Sequence, residues 1–561
     1  MPINTKSAII LIVLIVALVY VNSLKNSFVW DDYSLIVEND FVKSWKNFYR
    51  LFNKSYLTKI SDIDYLGERD IGSGEFSYRP VVTFSYFVDF SIWRLEPFGY
   101  HLTNLILHIL NAVLLFIFVD LIVRDKRIAL LTSLFFAVHP VNAEAVNNIS
   151  FREDLFVFLF FILAFIFYIK RFSIASLFMF LLALFSKEMA IIFPLVLLCY
   201  DYLFKKMPKD IFAHLKTYYL GYIGILLFYI FIRFILMANA DKPMLALPMA
   251  NLYTRTLTMP KVILTYIQWM LFPVNVHPTL PDDPSLFSHS LFEPGVLISI
   301  SAIVALLVIA VRLRKKSPLF SFAVLWFFIA LIPVSNIFYP LTNYIASRYL
   351  YLPVVGFCLL LAVFVSRLPD VRVISTILLI FYAIFTVIAN MGWKNNVTFW
   401  SGMVENYPDN ALAHSSLASS FRKSGLLDKA ISEYKAALSL DPNYAKDYNN
   451  LGECFYQKGM FAEAMQELKK ALELDPGLIS AYINLGSVFG DKGSYPQAIK
   501  YFEKAIQLDR GSLNAYNGLG VTYARMKKYD LARKAWEKAL EIGPDNKAVQ
   551  ENLRKLRELG I

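Results

Sequence analysis

Eleven apolar runs limit what this chain of 561 residues can become. They cover approximately 7–24, 101–123, 128–146, 153–169, 172–186, 189–204, 217–238, 294–311, 318–335, 348–366 and 372–391. Inside hydrocarbon no water is available to the backbone, so a crossing segment must satisfy its own amides, which a helix of about 20 residues does. The pattern predicts a polytopic helix bundle in a membrane. Composition agrees, with 57% hydrophobic and 18% charged residues against roughly 45–50% and 25% for soluble domains. A twelfth run, Thr258 to Phe272, is fifteen residues long and contains Pro260. It is predicted to be interfacial or re-entrant.

Charge orients the bundle. The formal net charge of +11 would suit nucleic acid, but in a multi-span protein excess Lys and Arg gathers in cytoplasmic loops. With the amino terminus cytoplasmic, Arg124, Lys126 and Arg127, Lys170 and Arg171, Lys205, Lys206 and Lys209, Arg312 to Lys316, and Arg367 and Arg372 all fall on the inner side. A twelfth span would put Arg312 to Lys316 outside. The first run is longer than a signal-peptide core and no A-x-A-like site follows it, so it is kept as a span. Cys199, Cys358 and Cys454 lie too far apart for a disulfide framework or a thiolate metal site.

Eleven spans place the carboxyl-terminal region outside, and it follows another rule. Pro408, Pro442, Pro476 and Pro544 keep a period of 34, with Arg510 where a further proline would fall. Leu417, Leu451, Leu485 and Leu519 share that register, as do Ala430, Ala464, Ala498 and Ala532, and Gly452, Gly486 and Gly520. A period of 34 with small residues at helix crossings is the tetratricopeptide pattern. Four repeats are predicted from about 408 to 544, and "NKAVQENLRKLREL" as a helix covering the last exposed face. Asn450 and Asn484 are equivalent positions whose amides could hold an extended peptide. Ordinary solvation of the surface is the preferred reading of both. Tyr448, Tyr482 and Tyr516 are assigned to the repeat core.

On this topology "FVWDDYSLIVEND" leaves the first span on the outer side, carrying Asp31 and Asp32. Two short outer loops, His139 to Asp154 and Ser186 to Ala190, are rich in ionisable groups. The segment "GEFSYRPVVTFSYFVDFSIW" suits helices lying along the interface. His101, Asn104, His108 and Asn111 share one face of the second span, which should look into the bundle or a wet cavity. Solvation explains any one of these residues. It does not require acids and bases to converge from four segments, so a site at the outer mouth is inferred. There a carboxylate could take a proton from a hydroxyl while Arg or Lys holds a phosphate. Adjacent carboxylates also tend to raise one pKa of the pair. Composition does not choose between this chemistry and an ion pathway, although a transporter should show ionisable groups at mid-membrane and internal symmetry.

"FVWDDYSLI", "YRPVVTFSYFVDFSIWRLEPFGYHLTNLILHILNAVLLF", "HPVNAEAVNNISFREDL", "KEMAII" and "SRYLYLPVVGFC", followed by tetratricopeptide repeats, resemble the transmembrane and tetratricopeptide-repeat protein O-mannosyltransferases. The resemblance implies an all-α chain: a GT-C glycosyltransferase bundle of about 11 spans over 1–391, a linker at 392–407, and a repeat solenoid with its capping helix over 408–561. It implies a polyprenyl-phosphate-linked sugar as donor, Ser or Thr hydroxyls of extracytoplasmic proteins as acceptors, and inversion by one displacement. Asp31 is then the catalytic carboxylate, with Asp32 in reserve. Arg152, Lys187 and Arg348 are assigned to the donor phosphate, and His139, Glu144, Glu188, Arg79 and His101 to acceptor binding or site structure. Arg348, and Arg233 near the outer end of the seventh run, could instead snorkel to the interface. Asp201 and Asp120, at the inner ends of spans, are assigned structural roles. No metal ligands are assigned and a divalent metal is not excluded. The expected location is a plasma or endoplasmic reticulum membrane, with protein partners on the solenoid and no nucleic acid. Transfer to a lipid or glycan, oligosaccharide transfer, and a non-enzymatic membrane scaffold are the rival readings.

Overall fold

The computed structural model describes residues 4–52, 78–205, 219–237, 251–274, 276, 287–338, 341 and 343–558. Residues 53–77 of the expected outer segment, Lys206 and Lys209 lie outside the described residues. Among those described, every regular element is a helix. Contacts divide the chain into two units that meet in sequence between Phe399 and Trp400.

The first unit is built from apolar helices. Among the described residues, four are long and apolar enough to cross a membrane: Thr5–Lys25, Pro97–Val123, Pro294–Leu313 and Val371–Gly392. Between them run Lys126–Ala137, Arg152–Ile169, Ser173–Ser186, Phe193–Phe204, Leu220–Met237, Pro318–Leu331 and Val354–Val365. Val371–Gly392 shows how such a helix is sorted. Val373, Ile377, Ile380, Ile384 and Ile388 are exposed at helical spacing, while Ser375, Tyr382, Thr386 and Asn390 face inward and are buried. That is the inverse of a water-soluble helix, as expected where lipid is the outer solvent. Aromatic rings fill the centre, where Phe118, Phe161, Phe165 and Trp326 pack together and the Trp326 indole donates to the Leu352 carbonyl at 2.9 Å.

The twelfth run extends beyond its apolar core, and one expectation is corrected. The fifteen-residue twelfth run is part of a helix of 20 residues, Leu252–Leu271, which starts on an Asn251 cap accepting from the Thr254 amide at 2.8 Å and carries Pro260 inside. The run at 128–146 is not one helix. Lys126–Ala137 stops, and Pro140–Asn147 follows at a bend of 53°.

Nor is the segment after that break a loop in water. Every residue from Leu131 to Leu155 is buried, so hydration cannot be why acids and bases gather there. A backbone that leaves helical geometry while buried needs other partners for its amides and carbonyls. The sequence "HPVNAEAVNNIS" supplies them. Asn142 donates to the Phe136 carbonyl at 2.7 Å, Asn147 donates to that of Ala143 at 2.8 Å, and Asn148 accepts from the Ser150 amide at 3.0 Å.

The second unit holds four pairs of antiparallel helices: Ala411–Lys423 with Leu427–Leu440, Ala445–Gln457 with Phe461–Leu474, Ile479–Asp491 with Tyr495–Leu508, and Leu513–Arg525 with Tyr529–Ile542. Glycine at the crossing is a spatial requirement: a Cβ on Gly486 would lie 2.8 Å from the Phe502 ring. Three of the intra-repeat turns use a left-handed glycine, such as Gly493 at φ 78°, whereas the fourth places Lys527 there at φ 60°. Lys547–Glu558 follows as the capping helix, laying Val549, Leu553 and Leu556 over Ala532, Trp536 and Ala539. Within 392–407 the chain is helical at Asn396–Asn406.

Candidate functional site

Asp31 and Asp32 are adjacent and buried, yet they do different work. Asp32 is fully enclosed. Its Oδ2 accepts from the Val29 amide at 3.0 Å and its Oδ1 from the Ser150 amide at 2.8 Å, pinning the acidic loop to the broken segment. Burial pushes its carboxyl up to about 7, against the lowering effect of those two amides, and the neighbouring Asp31 adds to the rise. The Asp31 backbone closes the turn by accepting from the Leu35 amide at 3.0 Å and the Ser34 hydroxyl at 2.8 Å. Its carboxylate lies within electrostatic reach of Arg348.

Arg348 is placed by Glu144. One Glu144 oxygen takes Nη1 of Arg348 at 2.8 Å, while the other accepts from the Ser347 hydroxyl at 2.6 Å and the Arg348 amide at 3.0 Å. The guanidinium also sits 3.8 Å above the centre of the Phe151 ring, a cation–π contact worth more where water is excluded. Arg348 is 4% exposed, so it does not snorkel to an interface.

Tyr349 links this pair to a second charged group. Lys187 and Arg348 both approach its ring, at 5.8 and 5.2 Å. Lys187 donates to both oxygens of Asp154 at 2.7 Å and pairs with Glu153 at 3.0 Å. Arg79 bridges Glu153 and Glu188, and Arg233 meets the far oxygen of Glu188 at 3.3 Å. Burial lowers the Lys187 ammonium from its ordinary value, although Asp154 opposes this. Glu188 has two guanidiniums beside it; burial alone would raise its carboxyl, but Arg79 and Arg233 hold it well below the usual range. Six charges thus form one belt running from Asp154 out to Arg233. The Glu188 side chain is 35% exposed and that of Arg233 28%, so they form its open end.

Other candidates are scaffolding. All three guanidinium nitrogens of Arg152 are engaged: with Asn104 at 2.6 Å, Ser85 at 2.9 Å, Asp89 at 2.6 Å and the Tyr100 carbonyl at 3.0 Å. As placed it ties three helices together and is not open to a phosphate. His139 has one ring nitrogen on the Met270 carbonyl at 3.0 Å and the other on the Val141 amide at 3.4 Å, and it stacks on Tyr382. His101 is buried against the backbone carbonyls of Asn26 and Ser27. The polar stripe does face the bundle interior, where His108 meets the Tyr351 hydroxyl at 2.7 Å and Asn111 the Leu155 carbonyl at 3.0 Å. Asp201 is held at the opposite end of Arg152–Ile169 by Lys205 at 2.7 Å and Tyr219 at 3.1 Å. In the solenoid, Asn484 donates to Asn449 at 3.0 Å, and Asn449 donates to Asn450 at 3.2 Å, so these amides join neighbouring repeats.

Glu153, Asp154 and Tyr349 were not singled out from sequence. A signal existed for the acids: the pair Glu153–Asp154 opens one apolar run and the pair Lys187–Glu188 precedes another, so opposite charges stand at matched depth. Among the described residues no three His, Cys, Asp or Glu side chains lie together as metal ligands.

Comparison with known proteins adds three findings. The TPR repeat family matches residues 418–459 and 452–493, and the tetratricopeptide repeat family matches 479–512 and 513–546. The chain is 29% identical to the protein O-mannosyl-transferase F38B6.6 of Caenorhabditis elegans over 76% of its length and 61% of the relative's. It is 25% identical to the protein O-mannosyl-transferases TMTC3 of Mus musculus and TMTC1 of Homo sapiens, covering 79% and 76% of this chain and 52% and 54% of theirs. The chain therefore spans between half and three fifths of the length of these curated relatives. Among solved structures, the crystal structure of MamA is 27% identical over 28% of this chain and 89% of its own, at a TM-score of 0.24.

Proposed function

We propose that the chain is a membrane glycosyltransferase that moves a hexose, mannose by the names of its relatives, from a polyprenyl-phosphate carrier to Ser or Thr hydroxyls of extracytoplasmic proteins. One observation carries the reading. A buried carboxylate, Asp31, lies within electrostatic reach of Arg348, and Tyr349 links Arg348 to a belt of paired charges whose far end, at Glu188 and Arg233, is open. A base and a phosphate-binding surface are the two groups that glycosyl transfer to a hydroxyl needs.

In this mechanism the Asp31 carboxylate accepts the hydroxyl proton while the oxygen attacks the anomeric carbon, and the phosphate oxygen leaves with the bonding electrons. Arg348 and Lys187 stabilise the negative charge as it develops on the phosphate, with Arg79 and Arg233 receiving the carrier at the open edge. One displacement inverts the anomeric centre. Asp32 is read as a positioning group, because its two oxygens accept the Val29 and Ser150 amides and so fix the acidic loop. Glu144 fixes Arg348, and Arg152 fixes the helix starts around it. The bundle is read as GT-C, with the acidic loop and the solenoid on the same extracytoplasmic side. Protein bound along the repeats would then be concentrated near the site.

The test is mass spectrometry of secreted proteins from cells carrying the wild-type chain, an Asp31→Asn chain or neither. Hexose on serine and threonine should depend on the wild-type chain and disappear with Asp31→Asn at equal protein levels. Unchanged hexose occupancy in the variant rejects Asp31 as base.

A further inference from the structure

Trp30, the residue before Asp31, has φ of 55°. A bulky side chain in the left-handed region is strained, and such a conformation persists only where the surroundings over-determine it. Here the surroundings come from the far end of the bundle's sequence. The Trp30 amide donates to Oδ1 of Asn396 at 2.9 Å, and its indole stacks on Phe399 with centroids 5.5 Å apart and planes at 30°. Phe399 packs in turn on Trp393 at 4.7 Å. Three residues earlier in the loop, the Ser27 amide donates to the Lys394 carbonyl at 2.9 Å.

A seam of asparagines backs this contact. Asn390 donates to the Val19 carbonyl and to Asn22, both at 3.0 Å, and accepts from Asn147 at 2.7 Å. Asn26 reaches the side-chain oxygen of Asn147 at 3.2 Å. The segment leaving the first helix is thereby sewn to the end of Val371–Gly392, more than 360 residues away in sequence. The neighbours Asn395 and Asn396 divide their work much as Asp31 and Asp32 do. Asn395 caps its own helix by accepting from the Thr398 amide at 2.9 Å, which leaves the Asn396 side chain for Trp30.

We propose that Asn396 and Phe399 are positioning residues for Asp31: the start of the helix Asn396–Asn406 holds Trp30 in the left-handed turn that directs the Asp31 carboxylate toward Arg348. The positioning role rests on the reading of Asp31 as the base, whereas the clasp itself is independent of it.

Hydrogen exchange of the full chain in lipid nanodiscs, read on peptides covering 28–37, tests the clasp, and hexose occupancy of secreted proteins tests its use. Asn396→Ala removes the acceptor and should speed exchange in 28–37 about tenfold and lower occupancy by a similar factor, as the loss of one buried hydrogen bond would. Exchange in Pro97–Val123 should stay as in the wild type, showing that the bundle is folded. Asn396→Asp keeps an acceptor and should return both readouts to within about threefold of wild type, a rescue that general destabilisation would not give. Phe399→Leu, which leaves the hydrogen bond in place, should fall between the two. Unchanged exchange in Asn396→Ala overturns the clasp. Fast exchange with wild-type occupancy, or failure of Asn396→Asp to rescue either readout in a folded chain, overturns the positioning role. If the wild-type chain adds no hexose, the transferase reading fails and the positioning role fails with it, while exchange alone still decides the clasp.

Discussion

The bundle and the solenoid solve the burial of polar groups in opposite ways. In the solenoid, side chains reach the adjoining helix or the next position one repeat on. Trp536 donates to Asn517 at 3.0 Å, and Asn552, 35 residues further along from Asn517, donates to it at 3.2 Å. In the bundle, the contacts that shape the site join Glu144 to Arg348, Asp32 to Ser150 and Trp30 to Asn396, across 204, 118 and 366 residues. A repeated local contact can be lost once with little consequence for the others. A long-range contact made once has no substitute.

That difference sets the expected size of each perturbation. The largest belongs to Asp31→Asn, where loss of a general base should lower transfer by about 10²- to 10⁴-fold with no change in membrane insertion, measured as hexose added per molecule of chain. Next comes Glu144→Gln, which leaves the buried Arg348 charge without its partner and should destabilise the site by about 3–5 kcal/mol, read as faster exchange across 143–152. A bundle indifferent to either change would break the comparison. In the solenoid, Gly486→Ala forces a methyl against Phe502 and should cost about 1–3 kcal/mol, seen as a lower unfolding midpoint for the repeats with exchange at the acidic loop unaltered. A coupled loss in both units would contradict the claim that solenoid contacts act locally.

Two smaller effects sharpen it. The Asp32 carboxyl is raised from 3.8 to about 7 by burial, so the folded loop holds a proton that the unfolded chain releases. Stability conferred through Asp32 therefore falls as pH rises from about 4 to about 7 and is flat beyond. Opening of 28–37 should be several-fold slower at pH 6 than at pH 8 after correction for intrinsic exchange, and Asp32→Asn should remove the difference. Last, Lys527→Gly should stabilise the fourth repeat by up to about 1 kcal/mol, a rise in midpoint confined to the carboxyl-terminal helices.

The same contrast explains what the sequence disclosed. Repeats were legible because each crossing imposes the same small residue every 34 positions, and lipid-facing helices because apolar runs need no partner to be recognised. Pro260 lies inside a helix that continues through it, and the run at 128–146 was read as unbroken because its break is buried and leaves hydrophobicity high. Of the site, the charged pairs Asp31–Asp32, Lys187–Glu188 and Glu144 with Arg348 stood out from apolar surroundings, and the structure brings them together. Arg152 and His139 stood out equally but are consumed by their own neighbours. Asn396 and Asn390 carried no signal at all, since an uncharged amide acquires its role only from a partner at the other end of the bundle's sequence.

The belt of Arg79, Lys187 and Arg233 with Glu153, Asp154 and Glu188 sets three cations against three carboxylates. A bare cationic cleft opening on a bilayer would be clogged by whichever acidic phospholipid happened to be abundant. On the proposed function, a belt that carries its own counterions would ignore such bystanders and yield only to a donor whose sugar and isoprenoid tail add enough grip to pry the internal pairs apart.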